Sequence, residues 1–301
     1  MKLGIIGLGA IGYPIAQNLL HSGYELYTTV RTEKSRKRAE RLGIHVLESP
    51  QFLYNYVNKV ILFVSNHEQC KQCLYAEDGI FTTLKAGLII LGSTIAPNEA
   101  QALIQNAPEK VQFIDAPVSG GISRAKDGTL VCIAAGEPQI LKKNNDIFSA
   151  YCQEVIHVGN EIGQAQKVKA INQMLVSINI IATAEAANLA RASDLELNAV
   201  FKTISKCAGN SFVFQNRMPK LIERDFTTRA SIETMQKDTK ICLQLAQETN
   251  SPCFLTNLCH ELYKKIPSKS IDSEDACAVI RLYEDYKQAS HNKKSKIEDK
   301  D

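Results

Sequence analysis

The sequence predicts an α/β fold, an N-terminal doubly wound sheet of the Rossmann type followed by an all-α C-terminal domain. Three observations carry that prediction. A short apolar run, Lys2 to Ile6, ends in a turn with Gly7, Gly9 and Gly12 and passes into an amphipathic helical pattern (Ile11, Ile15, Ala16, Leu19, Leu20). Up to about residue 160, apolar runs of strand length alternate with helical segments, the mark of a parallel sheet with crossover helices. From Gln164 the alternation stops and one long helical pattern begins.

The expected strands are Lys2 to Ile6, Glu25 to Thr29, Lys59 to Phe63, Gly87 to Leu91, Gln112 to Asp115 and Leu130 to Ala134. Between them lie helices such as Lys34 to Arg41 and Ala96 to Asn106, the second with Pro97 in its first turn, where a missing N–H costs nothing. The change of character near Gly163 places the domains at 1–162 and 163–288, with a polar, charged tail at 289–301 expected to be mobile. On the long helix Val168, Ile171, Leu175, Ile178, Ala182 and Leu189 fall near the three-and-four spacing of a buried stripe.

The glycine turn is the shape that accepts a dinucleotide. Gly7 permits the tight turn, Gly9 lets backbone approach a pyrophosphate, and Gly12 lets the helix press on the sheet while its free N–H groups face the phosphates. Leu8, Ala10 and Ile11 complete this cofactor-binding segment. At the second strand tip an acid would select NAD by accepting the ribose 2′-hydroxyl. That place holds Val30, then Arg31 and Thr32, so a 2′-phosphate would meet a guanidinium, and NADP is expected with NAD as the alternative. Two competing readings stand beside this one: a merely solvated helix start, and a ribose bond from Glu33.

Composition narrows the rest. The chain of 301 residues is 45% apolar, enough for two domains, and its 35 basic and 32 acidic residues leave a net charge of +3. That balance gives no nucleic-acid surface. No segment approaches the roughly 20 apolar residues of a membrane span, and the N-terminus enters the first strand without a leader, so a cytoplasmic location is expected. Nine cysteines form neither a disulfide framework nor a regular zinc module. Cys70 and Cys73 make a C-x-x-C pair without a second pair; a helical surface pair is the default, with metal or redox use as the alternative, and no metal site is assigned. Cys259-His260 reads as packing on a helix face.

Further motifs follow the glycine turn in order: Gly92-Ser93-Thr94-Ile95-Ala96-Pro97, Asp115-Ala116-Pro117-Val118-Ser119-Gly120-Gly121, the run Lys169-x-x-Asn172-Gln173, and Lys237-Asp238. With these the chain, from residue 1 to about 285, resembles the β-hydroxyacid dehydrogenase family, which includes 3-hydroxyisobutyrate dehydrogenase and the glyoxylate, succinic semialdehyde and tartronate semialdehyde reductases. The resemblance implies hydride exchange between a nicotinamide cofactor and a small carboxylate-bearing substrate, with Lys169 catalytic. It also implies substrate contacts from Ser119, Gly120, Gly121, Asn172 and Gln173. Cofactor contacts would come from Val64, Ser65, Thr94 and Lys237, and the assembly would be a homodimer or homotetramer.

The residues fit those roles chemically. Lys169, Asn172 and Gln173 stand at i, i+3 and i+4 and share a helix face. Reduction of a carbonyl leaves an alkoxide, which an ammonium both stabilises and protonates. Lys167 is the competing lysine, about 200° around the helix; the spacing to Asn172-Gln173 selects Lys169. Two departures stand out: Gly92 where the family has Asp, with an effect expected on loop bracing, and Ala230 where several semialdehyde reductases carry Phe. An imine reductase of the same architecture and a non-catalytic NADP-binding module are the competing functions, and Lys169 counts against the first.

Overall fold

A computed structural model describes residues 1–266 and 274–285. Within it the chain divides into two compact units that part between Lys169 and Ala170. The expected tail, 289–301, lies outside the described residues.

The first unit runs β1 (Lys2–Ile6), α1 (Gly12–His21), β2 (Glu25–Thr29), α2 (Glu33–Arg41), β3 (His45–Leu47), β4 (Lys59–Leu62), α3 (His67–Tyr75), β5 (Ala86–Leu91), α4 (Pro97–Gln105) and β6 (Lys110–Asp115). It continues with β7 (Val118–Ser119), α5 (Gly121–Lys126), β8 (Leu130–Ala135), α6 (Pro138–Lys143), α7 (Asn145–Ser149) and β9 (Cys152–Gly159). One sheet holds all of these strands in the order β3-β2-β1-β4-β5-β6-β8-β7, with β9 on β8. The neighbours from β3 to β6 are parallel, and β8 turns antiparallel to β6 and β7.

Alternation along each strand separates the two faces. Ile5, Ile61 and Ile90 join Ile15, Ala16 and Leu19 of α1 on one side, whereas Ile6, Leu62 and Leu91 join Leu74 of α3 and Leu103 of α4 on the other. The sheet is therefore wound on both faces, as the sequence predicts. The C-x-x-C pair is helical, on α3, but not a surface pair: Cys70 faces the core and Cys73 is half-buried.

α8 (Gln164–Ala192) links the units. Beyond it come α9 (Leu197–Ile204), α10 (Phe212–Glu223), α11 (Ile232–Glu248) and α12 (Phe254–Lys264), and among the described residues the only pairing there is two isolated bridges, Thr227–Glu274 and Ser231–Asp275. Their core gathers Ile180, Ile181, Ala184, Phe214, Met218, Met235 and Tyr263.

The expected buried stripe on α8 is corrected at every position but Ile178, which is half-buried and packs against the helical core. Val168, Ile171, Leu175 and Leu189 are exposed, at 39, 52, 52 and 65%, and Ala182 is exposed too. The face turned inward carries Gln166, Lys169, Ala170, Gln173, Ser177, Ile180, Ala184 and Ala187. Periodicity registers that a helix has an apolar face; it does not register that the opposite face is filled by hydrogen-bonded polar groups.

Candidate active site

The glycine turn leaves β1 at its carboxyl end. Gly7 has φ +102°, and a Cβ there would stand 2.3 Å from the Phe63 carbonyl oxygen; one on Gly12 would stand 1.9 Å from the Gly7 carbonyl oxygen. The fold itself therefore demands both glycines. Gly9 differs, because a Cβ there meets nothing within 4 Å. Its bareness keeps open a surface that a phosphate would occupy. Leu8 and Ile11 lean on the core, Gly9 and Ala10 are exposed, and no side chain caps α1. The first N–H groups of this helix thus have no capping side chain to compete with an anion.

Of the other expected cofactor residues, Lys237 lies on α11 in the second unit, whereas Arg31, Thr32, Val64, Ser65 and Thr94 follow the carboxyl ends of neighbouring strands, so the sheet brings these five to one edge. Val64 and exposed Ser65 come just after β4, where Ser65 N–H donates to Gln69 Oε1 at 3.2 Å, and half-buried Thr94 comes after β5. After β2 stands exposed Arg31, and the Thr32 hydroxyl accepts from Ser35 N–H at 3.2 Å to cap α2. Glu33 lies 4.0 Å from Arg36 and 3.8 Å from Lys37. Arg31 has no carboxylate partner among the described residues.

Ser119 closes β7 opposite Val131, and Gly120 and Gly121 follow with φ +136° and +70°. A Cβ on Gly120 would press on the Arg124 side chain at 2.7 Å, so this turn too is written for glycine. Gly92 has a physical explanation: the Phe63 ring lies 2.4 Å from where its Cβ would be. The aromatic side chain fills the space that the family's Asp would use.

On α8 the two candidate lysines separate cleanly. Lys169 is only 7% exposed, while Lys167 is exposed. In the second unit Asn172 Nδ2 donates to Gln173 Oε1 at 2.9 Å, Gln173 Nε2 donates to Asp238 Oδ2, and Lys237 Nζ lies 2.8 Å from Asp238 Oδ1. Asn172, Gln173 and Lys237 are thereby joined through one buried carboxylate. Cys259 is buried, and Thr239 Oγ1 and His260 Nδ1 share a hydrogen bond at 2.9 Å.

Sequence reasoning missed a second polar cluster, in the first unit. Asp115 and Gln166 are 0 and 1% exposed. Gly163 N–H and Gln166 N–H donate to Asp115 Oδ2 at 2.9 and 3.2 Å, and Gln166 Nε2 donates to Asp115 Oδ1 at 2.7 Å. The available signal was position, since Gln166 stands three residues before Lys169 on the same helix face. Among the described residues no group of three His, Cys, Asp or Glu side chains is placed to hold a metal ion, and no helix is long and apolar enough to cross a membrane.

Two family models match the chain: the NAD-binding domain of 6-phosphogluconate dehydrogenase over residues 2–159, and the NAD-binding domain of NADP-dependent 3-hydroxyisobutyrate dehydrogenase over residues 163–283. The class is that of NAD(P)-dependent hydroxyacid dehydrogenases. The chain belongs to the β-hydroxyacid dehydrogenase family related to 3-hydroxyisobutyrate dehydrogenase. Among its relatives, L-threonate dehydrogenase of Cupriavidus necator is 31% identical over 285 residues, covering 94% of this chain and 96% of the relative. The 2-(hydroxymethyl)glutarate dehydrogenase of Eubacterium barkeri is 28% identical, with 94 and 95% covered. The crystal structure of 3-hydroxyisobutyrate dehydrogenase from Salmonella typhimurium superposes with TM-score 0.82 at 25% identity, covering 94% of this chain and 99% of that one. The Mycobacterium tuberculosis 3-hydroxyisobutyrate dehydrogenase with L-serine gives 0.84 at 25%, with 94 and 98% covered.

Proposed function

We propose that the protein interconverts a small β-hydroxy acid and its semialdehyde or keto acid with NADP, using Lys169 as the general acid and base. The observation that carries this reading is the burial of Lys169, at 7% exposure, beside the exposed Lys167. Withdrawing an ammonium from water costs free energy, so a lysine held there serves a purpose that a solvated stripe does not.

When bound, the nicotinamide takes or gives the hydride. Lys169 holds the proton at the hydroxyl oxygen: its neutral amine takes it in oxidation, and its ammonium returns it to the developing alkoxide in reduction. Gly7 to Gly12, Val64, Ser65, Thr94 and Lys237 hold the cofactor, while Ser119, Gly120, Gly121, Asn172 and Gln173 hold and orient the acid. Arg31 favours the 2′-phosphate. Supporting that choice, Glu33 is engaged by Arg36 and Lys37, whereas Arg31 stands exposed at the strand tip.

The names of the relatives support the substrate class. L-threonate, 2-(hydroxymethyl)glutarate and 3-hydroxyisobutyrate each carry a carboxylate with a hydroxyl on its β-carbon, as does the L-serine in the mycobacterial structure. The test is oxidation of a panel of these acids followed by NADPH absorbance, beside their amides. Turnover of the acids, with kcat/KM lower for the amides by a few kcal/mol, the scale of a lost charge-assisted contact, supports the reading. Equal rates for uncharged analogues, or no turnover of any acid, refute it.

A further inference from the structure

Gln166 takes no part in the roles above, yet its carboxamide is fully used. Nε2 donates to the Ser93 carbonyl at 3.0 Å and to Asp115 Oδ1 at 2.7 Å, and Oε1 accepts from Ile95 N–H at 3.2 Å. Ser93 and Ile95 are the two neighbours of Thr94. One buried amide therefore grips the backbone on both sides of the residue assigned to the cofactor.

The same amide is tied to the helix that bears the proton donor. Asp115 accepts from the backbone of Gly163 and Gln166 and so caps the head of α8. Gly163 is locked there as well: its φ is +97°, and a Cβ would lie 2.9 Å from the Pro97 carbonyl oxygen, at the end of the Thr94 loop. Lys169 follows Gln166 by three residues, one turn on and on the same face. Only a neutral amide both donates to Asp115 and Ser93 and accepts from Ile95; a carboxylate cannot donate, and an apolar side chain leaves buried groups unpaired.

Resting on the roles assigned to Lys169 and Thr94, we infer that Gln166, oriented by Asp115, is a positioning residue that fixes the Thr94 loop against the helical turn carrying Lys169. It touches neither substrate nor cofactor. Its work is the register between the group that moves the proton and the group that holds the hydride carrier, where a displacement of about 1 Å costs about a hundredfold in rate.

The experiment compares Gln166→Ala, Gln166→Glu and Lys169→Ala with the wild type in the full-length protein. Active sites are counted by NADPH fluorescence titration, and the substrate is whichever of L-threonate, 3-hydroxyisobutyrate and 2-(hydroxymethyl)glutarate the wild type oxidises fastest. Both Gln166 variants are expected to lose about a hundredfold in kcat per titrated site, while KM and the NADPH Kd stay within about threefold. A strut that only stabilises the fold would lower the number of titratable sites and leave kcat per site unchanged, and that result overturns the inference. If Gln166→Ala does not fold, Gln166→Glu carries the same measurement. A wild-type rate in Lys169→Ala overturns the reading beneath; a dead Lys169→Ala beside normal Gln166 variants overturns the positioning role alone.

Discussion

The buried side chains of Gln173 and Asp238 meet as amide donor and carboxylate acceptor, joining α8 to α11 within the second unit. Removing the acceptor takes away the buried carboxylate to which Gln173 Nε2 donates and with which Lys237 pairs. Asp238→Ala is expected to lower unfolding free energy by about 1–3 kcal/mol, and Asp238→Asn, which keeps an acceptor oxygen, by less. Urea denaturation of both variants measures this. Equal losses would mean that the hydrogen bond contributes nothing beyond charge.

Phe63 fills the space beside Gly92. Gly92→Asp should destabilise by about 1–3 kcal/mol or more through overpacking, and Phe63→Ala in the same chain should restore part of that loss. Thermal denaturation of the two single variants and the double variant gives the coupling. Strict additivity of the two changes would contradict the packing explanation.

Burial in the sheet pushes the Asp115 carboxyl up to about 6, against hydrogen bonds from the Gln166 side chain and the Gly163 and Gln166 backbone that pull it down. Its unfolded value is near 3.9, so between about pH 4 and 6 the folded state holds the extra proton. Stability from this group is greatest below about pH 4 and falls as pH rises through about 6. Relative to Asp115→Asn, which has no such titration, the wild type should therefore lose stability across that window. Denaturant midpoints at several pH values test it, and a gap that grows in the wild type's favour as pH rises would show the sign to be wrong.

Much of the architecture was legible because the chemistry was local. β1 and β2 have the bounds that the apolar runs predict, and β4, β5, β6 and β8 agree within two residues. β3 and β7 are too short for alternation to show, and β9 is an exposed edge whose polar residues hide its period. Glycine at 12 and 120 could be read from spacing because each answers a neighbour within five residues, Gly7 and Arg124, and Gly7 because its own φ is positive. Gln166 could not: its partners Asp115 and Ser93 lie 51 and 73 residues away. The exposed apolar face of α8 was misread because periodicity names a face without naming what covers it.

Arg31→Ala should weaken NADPH by about 1.5–3 kcal/mol, the scale of a lost charge-assisted hydrogen bond, and leave NADH nearly unchanged. Parallel fluorescence titrations of both cofactors decide the matter. Equal losses, or tighter NADH binding in the wild type, would assign the strand tip to NAD.

The central claim rests on Lys169, and its most direct measurement is kcat of Lys169→Ala beside Lys167→Ala, with NADPH affinity followed in both. Loss of Lys169 should cut kcat by about two to four orders of magnitude with NADPH binding preserved, since the glycine turn is untouched. Lys169→Arg should recover little, because guanidinium keeps the charge but surrenders its proton far less readily. Lys167→Ala, on the exposed side of α8, should be mild. Near-normal turnover in Lys169→Ala, or abolition by Lys167→Ala instead, would contradict the account.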